Sequence, residues 1–293
     1  LSVLRLFDAD IRLQANQLSY GAVKAGPATA SLSVSDGVAA LSVPQAGFYD
    51  GTLSASVTAN GSGAVPAIAL TAGMEGVQAL PLLTAAAGFQ NIEGTLKANI
   101  EVSGAGADSQ VFARSLRGPV ALVFNDGALR GIDVAGLVRN VQSLLVAGYS
   151  ANNEAKTEFT EFSVAADIQD GVGTVSDIRL LGPFVRMTGS GSFDIAAQAI
   201  DMRLDPRVVA SLDGQGSDFD VSGLGMPILV KGPLSGPAIY PDLSALLADP
   251  GRALASISQL GNGVGGLAEG AANALGGLDG VLNGDPSTMA GGA

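Results

Sequence analysis

Apolar and polar residues alternate with period two through much of this chain. The pattern predicts antiparallel strands with one dry and one wet face. In TLSASVTA, Leu53, Ala55, Val57 and Ala59 fall on one side, and Thr52, Ser54, Ser56 and Thr58 on the other. LKANIEVSG sets Leu96, Ala98, Ile100 and Val102 against Lys97, Asn99, Glu101 and Ser103. PVALVF aligns Val120, Leu122 and Phe124, and FSVAADIQDG aligns Phe162, Val164, Ala166 and Ile168. Further on, Met187, Phe193 and Ile195 oppose Thr188, Ser190 and Ser192, and Ile200, Met202 and Leu204 alternate with Asp201, Arg203 and Asp205.

Asp-Gly pairs punctuate these runs at Asp36-Gly37, Asp50-Gly51, Asp126-Gly127 and Asp170-Gly171. Glycine adopts positive φ at little cost and aspartate tolerates it, so each pair reads as a hairpin turn. The third pair is expected to join a strand ending near Phe124 to a short return strand and a helix. Helical patterns are few. A short helix is expected over 76–90. A second over 133–147 has Asp133 at its N-cap and Val134, Leu137, Val138, Val141, Leu144 and Leu145 on one stripe. A third spans 242–260 with Pro250 interrupting it, and the Gly/Ala-rich stretch 261–293 reads as a tail.

Roughly a dozen strands with one apolar face each need cover, and three helices cannot supply it. A sandwich, a barrel or a curled trough remains. The dry faces mix medium aliphatics with Ala55, Ala98, Ala166, Gly189 and Gly191. Such small residues either leave internal space or let two walls close tightly.

Composition removes most chemistry. The chain's 293 residues hold no His, no Cys and no Trp, with 47% hydrophobic and 14% charged residues. Without His and Cys there is no Ser-His-Asp triad, no Cys-His dyad, no zinc motif and no disulfide. Gly261 to Gly266 fit GxGxxG, but the match lies in the tail with no strand before it. Asp8 with Asp10, Glu158 with Glu161 and Asp218 with Asp220 read as solvated charges, not paired acids. Neither enzymatic activity nor a cofactor is expected. A net charge of −12 argues against non-specific binding to nucleic acid or to an anionic membrane surface, and no nucleic-acid partner is expected. The first residue is Leu1, so the chain is read as a fragment, with any anchor or signal of the parent protein expected upstream.

LRGPVALVFNDGALRGIDVAGLVRN resembles the signature of the C-terminal region of the AsmA family of bacterial envelope proteins. The block from Thr157 to Val209, the segment MPILVKGPLSGPAIYPDL and the hairpins AGFYDGTLSASVTANG and FQNIEGTLKANIEVSGAG are similar to its neighbouring blocks. The resemblance runs from Phe7 to Leu247, and the family is itself related to TamB- and YhdP-like proteins. It implies a mainly β fold: a large curled antiparallel sheet forming an elongated apolar groove (β-taco-like), with a few short covering helices. The implied layout is an N-terminal hairpin segment of the groove over 1–75, the helix over 76–90 and a β-rich core over 91–241.

The resemblance also implies a periplasmic body held at the inner membrane by an anchor outside this fragment, with phospholipid acyl chains and outer-membrane or other envelope proteins as partners. The groove lining would be Leu53, Val57, Ile100, Val102, Leu122, Phe124, Phe162, Val164, Ile168, Met187, Phe193, Ile195, Met202 and Leu204. Lipid transport in outer-membrane biogenesis is the implied role. A scaffold or assembly factor for outer-membrane proteins, with a closed core, is the alternative.

Overall fold

A computed structural model describes residues 2–131, 155–208, 227–234 and 236–242. A 3-10 turn (Ser2–Arg5) precedes β1 (Ala9–Ala15), the hairpin β2 (Leu18–Tyr20) and β3 (Val23–Ala25), β4 (Ala28–Ser35), β5 (Val38–Phe48), β6 (Gly51–Asn60) and β7 (Ala67–Gln78). Helix α1 (Ala79–Ala87), β8 (Ile92–Ala105), helix α2 (Ser109–Ser115) and β9 (Gly118–Arg130) follow. The remaining strands are β10 (Lys156–Gln169), β11 (Val172–Leu181), β12 (Val185–Asp194), β13 (Ala199–Val208), β14 (Ile228–Pro233) and β15 (Ala238–Pro241). The expected helices 133–147 and 242–260 and the tail 261–293 lie outside the described residues. The chain divides into two compact units, 1–241 and 242–293, and only Asp242 of the second is described.

One antiparallel sheet of 13 strands runs in the order β1-β4-β5-β6-β7-β8-β9-β10-β11-β12-β13-β14-β15, while β2 and β3 form a separate ribbon. From β4 onward each strand pairs with the next in sequence, while the other side of β4 pairs with β1. The sheet is not closed into a barrel; among the described residues β1 and β15 are its edge strands. Asp36-Gly37 (φ 52°, 79°) and Asp170-Gly171 (φ 50°, 79°) are two-residue turns with the paired positive φ of type I′. The turn before β6 uses Tyr49 and Asp50 (φ 45°, 66°), and Gly51 opens the strand. A Cβ at Gly51 would lie 2.5 Å from the Glu75 carbonyl oxygen, so only glycine lets β6 and β7 meet there.

Asp126-Gly127 is not a turn. It lies inside the continuous 13-residue β9, where Asp126 (φ 49°) and Gly127 face the single Gly94 of β8. This is a β-bulge, which bends its strand and increases twist. Matching register shifts occur at Pro44-Gln45 in β5, Glu75-Gly76 in β7 and Ser176-Asp177 in β11. Alternate strands β5, β7, β9 and β11 thus each carry one. A bulge also resets the side-chain parity: Val43 and Ala46, three apart, share the apolar face with Met74 and Val77, and with Val175 and Ile178. The four bulges bias the sheet toward curling.

Residues 76–78 belong to β7, so the first helix starts at Ala79, with Pro81 tolerated in its first turn. Its end is a left-handed Gly88 (φ 66°) whose N–H reaches the Thr84 carbonyl at 3.0 Å. The unexpected helix is α2. Asp108 caps it, accepting hydrogen bonds from the Gln110 and Val111 amides at 2.9 Å each.

Candidate functional site

The strand register sorts the apolar residues into rows that cross the sheet on one face. One row links Val77, Leu96, Phe124, Phe162, Leu180 and Met187 on six consecutive strands. The next links Leu53, Met74, Ala98, Leu122, Val164, Ile178, Gly189 and Leu204. A third runs Ala55, Ala72, Ile100, Val120, Ala166, Val175, Gly191 and Met202. A fourth has two parts: Val57, Leu70 and Val102, then Ile168, Gly173 and Phe193. Thirteen of the fourteen residues expected on the groove wall therefore share this face. Ile195 does not: it follows the last residue of β12, in the turn before β13, with its amide bonded to the Gly171 carbonyl at 3.0 Å.

The face is covered unevenly. Its first row is shut: Val77 and Leu180 are 0% exposed, Phe124 and Met187 3%. There Leu82 of α1 joins the core cluster, Leu83 packs against it, and Phe124 stacks on Phe162 at 5.8 Å between ring centres. At the far end of β8, α2 lies over Gly104, where a Cβ would meet Phe112 and Ser115 at 3.1 Å. From Leu96 to Gly104 along β8 is about 27 Å. Between these lids Leu53, Val57, Ile100, Val102, Leu122 and Val164 are only half-buried. Toward the β1 edge Ile11 and Leu13 are 42% and 54% exposed. The result is a trough closed along one long side and partly open over the rest.

Glycines on the wall do not leave holes in β11 and β12. The Phe193 ring lies on Gly173, its partner across the strand pair, and Leu204 and Met202 lie 2.7 Å from where Cβ atoms of Gly189 and Gly191 would be. Sequence reasoning missed Phe159, 3% exposed, whose ring packs over Gly127 and against Phe162. The signal was present: Phe159 and Phe162 stand three apart in TEFTEF, the spacing a parity reset needs.

The sheet's ion pairs among the described residues lie on the opposite face. Lys97 pairs with Glu75 at 3.1 Å; Glu93 takes Arg130 at 3.3 Å and Lys156 at 3.2 Å; Arg179–Asp177 and Arg203–Asp205 are each 3.8 Å. Lys231 donates to Asp201 at 2.8 Å, and chiefly this hydrogen bond holds the ammonium above its ordinary pKa. An open pocket of 660 Å³ beside the β9 bulge is lined by Gln78, Glu93, Thr95, Asp126, Lys156 and Glu158, polar groups of this wet face. Among the described residues no buried side-chain polar atom lacks a partner, and no three His, Cys, Asp or Glu side chains group to hold a metal. Asp218 and Asp220 lie outside the described residues. No described helix is long and apolar enough to cross a membrane.

The AsmA family model matches residues 1–178, more than half of the chain and ending earlier than the resemblance read to Leu247. Protein AsmA of Escherichia coli (strain K12) is 23% identical over 219 residues, covering 74% of this chain. The aligned part spans 36% of that relative's length. No solved structure matches. With the family's sequence pattern and one long antiparallel sheet bearing apolar rows, the chain belongs to the AsmA family.

Proposed function

We propose that this chain is a non-enzymatic module of the bacterial envelope whose trough carries phospholipid acyl chains between membranes, in the periplasm, during outer-membrane biogenesis. Membership of the AsmA family supports the setting. The observation that carries the reading is the set of wall residues left half-buried beyond the closed row: Leu53, Val57, Ile100, Val102, Leu122 and Val164. Apolar side chains in water gain by acquiring alkyl cover, about 0.8 kcal/mol per methylene removed from water. Two acyl chains of ordinary length supply ample affinity on that scale without polar contacts inside. A wall without orphan polar atoms grips tails of any register, so lipid can slide along it while its head group stays wet.

The test is solvent extraction of the purified chain followed by lipid analysis. Phospholipid in a fixed molar ratio to protein is expected, reduced by Ile100→Asp and Leu122→Asp, which place carboxylates on the open part of the wall. A folded, lipid-free protein that takes up no phospholipid from vesicles contradicts the proposal. The closed core row favours a second reading, a scaffold offering β1 and β15, the edge strands among the described residues, to another chain's strands. The same extraction separates the two.

A further inference from the structure

We infer that the end of the sheet at the β11–β12 turn is a docking point for an anionic lipid surface, formed by Arg186, Arg207 and Phe184. Arg186 and Arg207 lie directly opposite each other on β12 and β13, both exposed on the wet face. Like charges facing across a strand pair destabilise a sheet. Nearby cations avoid that problem: Arg179 has Asp177, Arg203 has Asp205, and Lys231 has Asp201. Among the described residues, no carboxylate lies within ion-pair distance of Arg186 or Arg207; the nearest in sequence, Asp205, is held by Arg203.

Two guanidinium groups on adjacent strands present a fork of donors suited to phosphate oxygens. An aromatic neighbour decides the source of the phosphate. Phe184 stands in the turn two residues before Arg186 and is 57% exposed, and Leu181, opposite Arg186 on β11, is 36% exposed. A soluble phosphate gives an exposed phenyl ring no reason to be there. At a lipid surface the ring enters the acyl boundary while the arginines bind the head-group phosphates. The chain carries a net charge of −12, so general attraction to an anionic surface is absent and attachment is local to this patch. These residues lie off the trough wall, so the inference stands independently of lipid carriage.

The test is flotation of the chain with vesicles of phosphatidylglycerol and phosphatidylethanolamine, and with vesicles of phosphatidylcholine alone. Binding to the anionic vesicles only is expected. Arg186→Gln with Arg207→Gln should weaken it about thirty-fold, from about 1 kcal/mol for each basic side chain at a charged surface. Phe184→Ser should weaken it about ten-fold. The double variant should melt no lower than the parent, because it removes a like-charge pair. Its extracted phospholipid should be unchanged, which separates failure here from failure of the lipid-carrying reading. Equal binding to both vesicle types, or undiminished binding by the well-folded double variant, overturns the inference. So does displacement by inorganic phosphate but not by chloride at equal ionic strength, which would mark a site for free phosphate.

Discussion

Leu180 and Leu53 occupy the same face of one sheet, yet their surroundings differ. Leu180 is 0% exposed among Phe162, Met187 and the α1 cluster, while Leu53 is half-buried. Truncating Leu180 to alanine leaves a cavity that rigid neighbours cannot fill, an expected loss of about 3 kcal/mol. Leu53→Ala forfeits only part of a side chain's transfer energy, about 1 kcal/mol. Urea denaturation of the two variants measures the difference; equal losses would contradict the division into a shut row and an open wall. Alternation made both leucines legible as apolar, but not their burial. That depends on α1 and on the ring contact between Phe124 and Phe162, across strands 38 residues apart in the chain.

The bulges are the elements that strict alternation hides. Asn125-Asp126-Gly127 carries the same local signal as a hairpin, because a left-handed aspartate before glycine serves both. What decides is the partner strand: Gly94 of β8 accommodates two residues opposite it, and the Glu93 carbonyl presses so close to Gly127 that no side chain fits there. Nothing within β9 itself reveals this. Pro44 was the readable clue, since proline inside a paired strand belongs at a bulge. The φ of 49° at Asp126 gives a direct check. Asp126→Gly should leave stability unchanged or slightly higher, whereas Asp126→Val should cost about 1–2 kcal/mol, as β-branched side chains resist positive φ. Equal effects of the two would mean that the residue is not held left-handed in solution. The strands, and the placing of thirteen of the fourteen named residues on one face, followed from period two; the Asp-Gly signal marked turns at Asp36-Gly37 and Asp170-Gly171 and misled at Asp126-Gly127. Helix α2 did not, because Asp108 and seven residues make too short a phrase to stand out.

At the scale of the molecule, a thirteen-strand sheet with its ion pairs on one face and its aliphatic rows on the other makes a long surface of two characters. Twelve strand spacings span about 58 Å along the sheet. Most of the wall residues are small or medium aliphatics from a chain that is 5% aromatic, which suits tails that slide more than a ligand held in one pose. The central claim is that the alkyl chains the protein carries lie along the inward face of the sheet. Neighbouring residues of β8 test it most directly: Ile100 faces into the trough and Glu101 faces water. With a photoreactive amino acid at each position in turn, irradiation in cells should give a phospholipid adduct at 100 and none at 101. Adducts at both, or at neither while the protein remains folded, would contradict the account.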